Sequence, residues 1–510
     1  MSDLTENLGT RTATGAAWLA GQMAITRVLG FVSQLVLTWL LMPEDFGRLG
    51  LVWTITAFAS QLVDPGIDDV LLQRRAHFNR WATPAFWLSM TCGVAGAVGM
   101  VVAAIAVMLV AQQIPNKAYS DPVLVKMVAI MALGSLFSTL GSVPLVKMRA
   151  DMRFARLAGI GLVEFVTLQS LTLLLAAVGA GSYSLVLPIP VATAGRTITL
   201  WLMARPRVRM RAHINRWGSL IGSTGWVFGQ RILQSLVNQG DYLILGAIFG
   251  DQVIVGLYFF AYMLSMQLNR MLSENLGGAL TPALNALHLD VPRMESAAIR
   301  ASRAVAAVMV PLGILQIILA GPIVRLLFAA KWEPAIPLVR YLSCGILLLG
   351  PGWPLQSIIT ASGRFRDGFF MRLSSAICFI LIVTSFTWMW RETGTAIGVG
   401  LWGWVTGLII ATVTLTTYSG ALTLLGSVSW PLLASLPGIA VGCLIVWGMP
   451  TTKAGDLATG VLVSAIHLGC YFVILRQLDR PIVEILGKQV RTVMLALQAY
   501  VLGGKISTQT

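Results

Sequence analysis

Fourteen mostly apolar runs, separated by short polar breaks, restrict this chain more than any other feature. They cover 14–41, 47–64, 84–113, 120–147, 157–179, 183–204, 218–249, 253–275, 300–328, 334–361, 371–390, 395–424, 430–449 and 456–476. A helix rises ~1.5 Å per residue, so about 20 apolar residues cross ~30 Å of hydrocarbon. The runs are too long for barrel strands and do not alternate polar with apolar. A chain in lipid must satisfy its backbone internally, and helices do so within one segment. Only 11% of the 510 residues are charged, against about 25% in soluble domains. The sequence therefore predicts an all-α membrane protein with about 14 transmembrane helices. Residues 1–13 are polar and not strongly basic, and the first apolar run is too long for a signal-peptide core. The first helix is expected to remain in the mature chain.

Basic residues test this count, because Lys and Arg concentrate in cytoplasmic loops. With the N-terminus placed inside, alternate connections carry 24 basic residues on the inside and 5 on the outside, where only Arg48, Lys117, Lys331, Arg391 and Lys453 fall. Both termini are then cytoplasmic. The same bias accounts for the net charge of +15. It argues for anionic membrane lipids as neighbours and against nucleic acid as a partner. Beyond the last run, Ile482, Leu486, Val490, Val493, Leu497 and Val501 recur at helical spacing opposite charged residues. That pattern predicts an amphipathic helix lying on the cytoplasmic surface.

Trp18-Leu19-Ala20-Gly21-Gln22 recurs as Trp226-Val227-Phe228-Gly229-Gln230, at the starts of runs 1 and 7. Gly47 and Gly256, which open runs 2 and 8, follow the two tryptophans at nearly equal distance. The expected organisation is two six-helix bundles related by a pseudo-repeat, 1–210 and 211–425, then two extra helices in 426–478 and a tail over 479–510. Parallel repeats of this kind hold substrate between the halves.

Charges inside the runs cost at least ~2.5–3.5 kcal/mol each at the bilayer centre, so each needs a reason. Run 1 carries Arg27 and, seven residues on, Gln34. Run 7 carries Arg231, Gln234, Asn238 and Asp241 along one stripe, and run 8 carries Gln267, Arg270 and Glu274. Glu164 lies in run 5 and Arg196 in run 6. One reading is structural: ion pairs such as Arg231–Asp241 or Arg270–Glu274, with Arg196 and Glu274 snorkelling to the interface. The other is a water-filled cavity whose guanidinium groups bind phosphate oxygens bidentately. Pro188, Pro190 and the Gly350-Pro351-Gly352-Trp353-Pro354 stretch read as helix breaks, either bending points or static kinks.

No nucleotide phosphate loop, DxD or HExxH occurs, and the outside loops are too short for a polymerase or ligase site. The expectation is a non-enzyme without cofactor or metal. The five cysteines lie in apolar runs without CxxC spacing and read as small buried hydrophobes, and the four histidines lack metal spacing.

Several loop motifs are familiar. Met42-Pro43-Glu44-Asp45-Phe46-Gly47, Asp64-Pro65-Gly66 with Leu72-Gln73, and Arg149-Ala150-Asp151-Met152-Arg153-Phe154 stand in order. Asn238-Gln239-Gly240-Asp241 leads to Gly246, Gly250 and Gly256-Leu257-Tyr258, and Lys331-Trp332 and Ala361-Ser362-Gly363-Arg364 follow. Over residues 10–370 the chain resembles the Wzx-type polysaccharide flippases of the multidrug/oligosaccharidyl-lipid/polysaccharide exporter superfamily. Met42 departs from the family's usual Gly. The resemblance implies a V-shaped pair of bundles in the bacterial cytoplasmic (inner) membrane. It implies a polyprenyl-pyrophosphate-linked oligosaccharide carried to the outer leaflet for exopolysaccharide, capsule or O-antigen synthesis. The polysaccharide polymerase and export machinery would be partners. The cavity residues would be Arg27, Gln34, Arg196, Arg231, Gln234, Asn238 and Arg270. An H+ or Na+ gradient would act at Asp241 and Glu274. The rival reading is a small-molecule or multidrug antiporter on the same fold, against which the buried arginines argue.

The topology has a direct test. A cysteine at Thr451 is expected to react with an impermeant thiol reagent in intact cells, and one at Arg209 only after permeabilisation. Reversed labelling at either position contradicts the fourteen-segment topology.

Overall fold

The computed structural model describes residues 2–63, 67–74, 77–113, 118–210, 212, 214–218, 225–287, 289–416 and 419–484. Among these residues the regular structure is helical. The helices are α1 (Ser2–Leu40), α2 (Pro43–Val63), α3 (Ile67–Gln73), α4 (Phe78–Gln113), α5 (Pro122–Leu140), α6 (Ser142–Ala150), α7 (Phe154–Ala177) and α8 (Pro188–Ala204). There follow α9 (Gly225–Phe249), α10 (Gln252–Asn285), α11 (Val291–Leu327), α12 (Ile336–Ala361), α13 (Phe365–Thr414), α14 (Gly420–Gly448) and α15 (Lys453–Leu478). Among the described residues each predicted apolar run lies mainly on helix. Among the described residues ten helical stretches are long and apolar enough to cross a membrane. That figure takes the 50-residue α13 once, although Trp390 and Arg391 break its helical geometry midway. It leaves out α2, α9 and α10. The predicted surface helix lies mostly outside the described residues; only Pro481–Glu484 of it is placed, and is helical.

The chain divides into two compact units. The first comprises Met1–Phe260, Phe328–Trp332 and Thr387–Glu392. In it α7 packs against α1 and α8, α8 against α5, α5 against α4, and α2 against both α4 and α9. Gly47 and Gly256 meet here. A Cβ on Gly47 would stand 1.9 Å from the Gln252 carbonyl oxygen, and one on Gly256 would stand 1.8 Å from the Pro43 oxygen. Only glycine permits such backbone contact. Nearby, Arg48 Nε donates to Asp121 Oδ2 at 2.9 Å and its Nη1 to Ser182 at 3.2 Å, while Ser182 donates to Asp45 at 2.6 Å. Asp121 also receives Gln252 Nε2 at 3.1 Å and caps α5 through Val123 N–H. Burial pushes the Asp121 carboxyl up, but these bonds and the Arg48 charge outweigh it and hold it below its ordinary value.

Helix ends in this unit are closed by basic and aromatic side chains. A helix leaves its last carbonyls without intrahelical partners. Lys331 Nζ donates to Trp39 O at 3.1 Å and Trp332 Nε1 to Thr38 O at 2.8 Å, both at the end of α1. Arg153 Nη1 reaches Met203 O at 3.3 Å, at the end of α8.

The second unit comprises Ala261–Leu327, Glu333–Phe386 and Thr393–Thr510. Its central helix is α11, against which α12, α14 and α15 pack. An antiparallel series of polar contacts fastens α15 to α11. Arg325 grips Asp456 with two bonds, at 3.0 and 2.6 Å. His467 bonds the Pro311 carbonyl at 3.2 Å, Tyr471 donates to Ala307 O at 2.6 Å, and Arg303 meets Asp479 at 2.5 Å. Arg364 closes the end of α13, reaching Val413 O at 3.2 Å and Thr414 O at 3.5 Å. Gly363 before it has φ +68°, which turns the chain out of α12.

Four expectations change. Pro188 does not interrupt a helix; it starts α8, where its missing N–H costs nothing. Pro351 and Pro354 lie inside a continuous α12. That helix meets α13 through Gly345, Gly400, Gly403 and Gly407, where any Cβ would stand 2.7–2.9 Å from facing backbone. The run placed at 395–424 spans a real break, because α13 ends at Thr414 and α14 begins at Gly420. The cysteines are also not core residues. Cys344 and Cys443 are exposed and the others half-buried, since an apolar residue facing lipid needs no burial.

The glycine crossing is testable. Gly47→Ala is expected to lower stability by at least ~1–3 kcal/mol, the usual cost of overpacking. Gly159→Ala, where nothing lies within 4 Å of the added carbon, should leave it unchanged or slightly raise it. Thermal unfolding in detergent checks this; equal melting of both variants refutes the contact.

A cationic cavity as the candidate functional site

Within the first unit, α1, α7 and α8 enclose a cavity of about 790 Å³. Each helix contributes one face at helical spacing. From α7 come Leu157, Ile160, Gly161, Glu164 and Leu168; from α8, Ala192, Thr193 and Arg196; from α1, Gln22, Met23, Thr26 and Arg27. Arg149, near the end of α6, completes the polar lining. Gly161 makes room for Gln22: a Cβ there would stand 2.5 Å from the Gln22 amide nitrogen. The hydroxyls of Thr26 and Thr193 bond back to their own helices, to Gln22 O at 2.9 Å and Ile189 O at 2.8 Å. The charges are therefore the principal binding groups.

Three guanidinium groups, Arg27, Arg149 and Arg196, line the cavity against one carboxylate, Glu164. Arg196 Nη1 stands 3.4 Å from Glu164 Oε1, with the two side chains 29% and 21% exposed. At such distance and exposure the pair is loose and still reachable by a ligand. An excess of cations in a partly dry space favours an anion, and phosphate oxygens accept from guanidinium donors in pairs.

Of the residues singled out in the sequence, Arg27 and Arg196 line this cavity together. Gln34 lies two turns further along α1, half-buried and outside the lining. Arg231, Gln234 and Asn238 lie on α9, where Gln234 Nε2 donates to Asn238 Oδ1 at 2.6 Å. Arg270 is exposed on α10, in the second unit, and the side chain of Glu274 lies outside the described residues. Asp241 is 1% exposed and accepts from Tyr258 Oη at 2.9 Å and from Tyr242 N–H at 2.9 Å. The two tyrosine rings meet edge to face, 5.6 Å apart. Tyr258, not Arg231, is thus the side-chain partner of Asp241. Sequence reasoning missed Arg149 and Gln22 as lining residues. Arg149 counted as a loop charge, though its place in the Arg149–Phe154 motif was a signal.

Residues 36–337, more than half of the chain, match the family described as polysaccharide biosynthesis protein. The chain belongs to that family. It is 24% identical over 390 residues to the lipopolysaccharide biosynthesis protein WzxC of Escherichia coli (strain K12), covering 73% of this chain and 75% of that one. Among solved structures it is similar to the lipid II flippase MurJ in an inward closed conformation. That match has 12% identity, a TM-score of 0.69, and covers 90% of this chain and 99% of that one. It is also similar to an inward-facing multidrug resistance MATE family transporter of the MOP superfamily. There the identity is 13% and the TM-score 0.56, over 81% of this chain and 98% of that one. The structural likenesses show the fold, that of the exporter superfamily expected from the motifs. The family match runs from within α1 to the start of α12 and so contains most of the cavity's helices.

The Asp241 pocket makes a specific prediction. Tyr258→Phe removes one of two donors to a buried carboxylate and is expected to lower stability by ~1–3 kcal/mol. Asp241→Asn should cost less, because its amide oxygen still accepts the Tyr258 proton. Measured by thermal unfolding in detergent, wild-type melting of Tyr258→Phe would exclude this hydrogen bond as a stabilising one.

Proposed function

We propose that this polysaccharide biosynthesis protein is a flippase that moves a polyprenyl-pyrophosphate-linked oligosaccharide from the cytoplasmic to the outer leaflet. The observation that carries the reading is the cavity of the first unit, where three arginines face one acid. A pyrophosphate group is the part of such a lipid that all its glycans share, and guanidinium groups are its natural partners. Support also comes from relatives named for lipopolysaccharide biosynthesis and for lipid II flipping.

The chain works as a transporter rather than an enzyme, in the bacterial cytoplasmic membrane with both termini inside. Loop charge supports that orientation: the ends near Lys147, Arg149, Arg153 and Arg205 carry the basic residues, and the opposite end carries the Asp45–Arg48–Asp121 cluster. Alternating access is driven by an ion gradient, H+ or Na+. Asp241 is the coupling group in this reading, with Glu274 as a second, and Arg231, Gln234, Asn238, Gln34 and Arg270 extend the substrate path. Release of Asp241 from Tyr258 would expose the carboxylate to a proton or cation. A multidrug antiporter on the same fold is disfavoured, since a cationic cavity repels cationic drugs.

Complementation of strains lacking flippases for known glycans tests the whole reading. Arg27→Ala and Arg231→Ala are expected to lose export while protein level stays near normal. Removing a charge-assisted bond to phosphate is worth ~1.5–3 kcal/mol, roughly ten- to a hundredfold in affinity. Normal export by both variants means that no anionic group is bound there.

A further inference from the structure

The connector between α8 and α9 places four arginines in seven residues, Arg205-Pro206-Arg207-Val208-Arg209-Met210-Arg211. Burial alternates along its described part. Pro206 is buried and Val208 half-buried, while Arg205, Arg207 and Arg209 are exposed. No helix or strand holds residues 205–209, so groups from elsewhere do. Lys147 Nζ donates to Arg205 O at 3.3 Å, Arg209 N–H donates to Thr83 Oγ1 at 3.1 Å, and Trp87 Nε1 donates to Arg209 O at 3.0 Å. Further on, Arg216 Nη1 donates to Arg80 O at 3.2 Å. Val208 and Trp217 pack against the apolar cluster of Ile67, Leu71, Phe78 and Val146.

Backbone and apolar contacts pin this strap, and its central guanidinium groups take no part. Among the described residues the side chains of Arg207 and Arg209 make no hydrogen bond or ion pair. Two like charges held close on a fixed backbone repel, and a bound anion offsets that repulsion. Donors already held in place also lose less freedom on binding than mobile ones. The surroundings are apolar. Ile198 and Leu202, one turn apart on α8, are 60% and 65% exposed, so a lipid-facing surface runs to within three residues of Arg205. Beyond the arginines, Met210 is 86% exposed and Ile214 65%. Basic groups flanked by exposed apolar side chains suit a segment lying at a bilayer surface, with its charges among the headgroups.

We propose that this strap is a docking site for an anionic phospholipid, with the lipid phosphate at Arg207 and Arg209 and the acyl chains against Met210 and Ile214. The orientation argued above puts that lipid in the cytoplasmic leaflet, and the site does not depend on what the protein carries. Charge and position choose the occupant together. A zwitterionic lipid carries its own ammonium beside the phosphate and gains less from two guanidinium groups. A soluble acidic partner matches the charge but not the continuity with the lipid-facing side of α8. Guanidinium forks bind phosphate oxygens in pairs, so two of them on one pinned segment can hold a single phosphate.

The test uses the full-length protein in nanodiscs of equal phosphatidylglycerol and phosphatidylcholine. A photoreactive p-benzoylphenylalanine is placed at Met210 or, as a reference, at Leu174, which is 61% exposed on α7. Mass spectrometry of the lipid adducts gives the ratio of phosphatidylglycerol to phosphatidylcholine at each position. The ratio at residue 210 is expected to exceed that at residue 174 by about tenfold, equivalent to ~1.4 kcal/mol of preference. The double variant Arg207→Gln with Arg209→Gln should bring the two ratios together. Arg293→Gln, at an exposed arginine in the first turn of α11, should leave the excess intact. Equal ratios without these substitutions, or no lipid adduct at residue 210, overturn the site. An excess that Arg293→Gln lowers as much as the double variant also overturns it, because the cause is then diffuse surface charge. Loss of the excess to soluble glycerol phosphate at matched ionic strength overturns it too, since the strap then takes a free phosphate rather than a lipid.

Discussion

A backbone carbonyl without a donor is the constraint on which this structure turns. In hydrocarbon no water can supply the missing proton, and each unmatched group costs several kcal/mol. Helix ends create such carbonyls, and prolines create more, because each removes the N–H that would bond four residues back. The chain answers both with side chains from distant parts of the sequence. Lys331, Trp332, Arg153 and Arg364 serve the ends of α1, α8 and α13. Pro84, Pro144 and Pro311 orphan the carbonyls of Arg80, Leu140 and Ala307. These receive Arg216 Nη1 at 3.2 Å, Trp201 Nε1 at 2.9 Å and Tyr471 Oη at 2.6 Å. Trp201 and Tyr471 each also tie one helix to another, α8 to α5 and α15 to α11.

This explains which parts of the fold were legible. Apolar length announces a helix in lipid, so the runs were visible without any partner. The motifs were visible because their roles are local and strict: Gly47 for backbone contact, Gly363 for a left-handed turn, Lys331 and Arg364 for helix ends. Proline was misread, because a proline in an apolar run does not break the helix when it opens the first turn, as Pro188 does, or when a distant Trp or Tyr takes the freed carbonyl. Tyr471, donating to Ala307 O at 2.6 Å, lies 164 residues from its partner. No local pattern predicts that pairing.

The candidate site was half legible for the same reason. A buried arginine is costly enough to be noticed singly, and Arg27 and Arg196 were. Which arginines share a space depends on how α1, α7 and α8 are arranged, and periodicity does not encode that. Arg149 entered the cavity from a short helix that looked like loop. One reading of the sequence paired Asp241 with Arg231, a cation on its own helix. The fold gives it Tyr258 instead, 17 residues away and one helix on.

Tyr471 bears on how two helices depend on one another. It belongs to α15, yet it completes a hydrogen bond that Pro311 breaks in α11. Without α15 the Ala307 carbonyl would stand bare in the bilayer. The proline and the tyrosine are thus coupled, since changing either alone leaves one polar group unmatched.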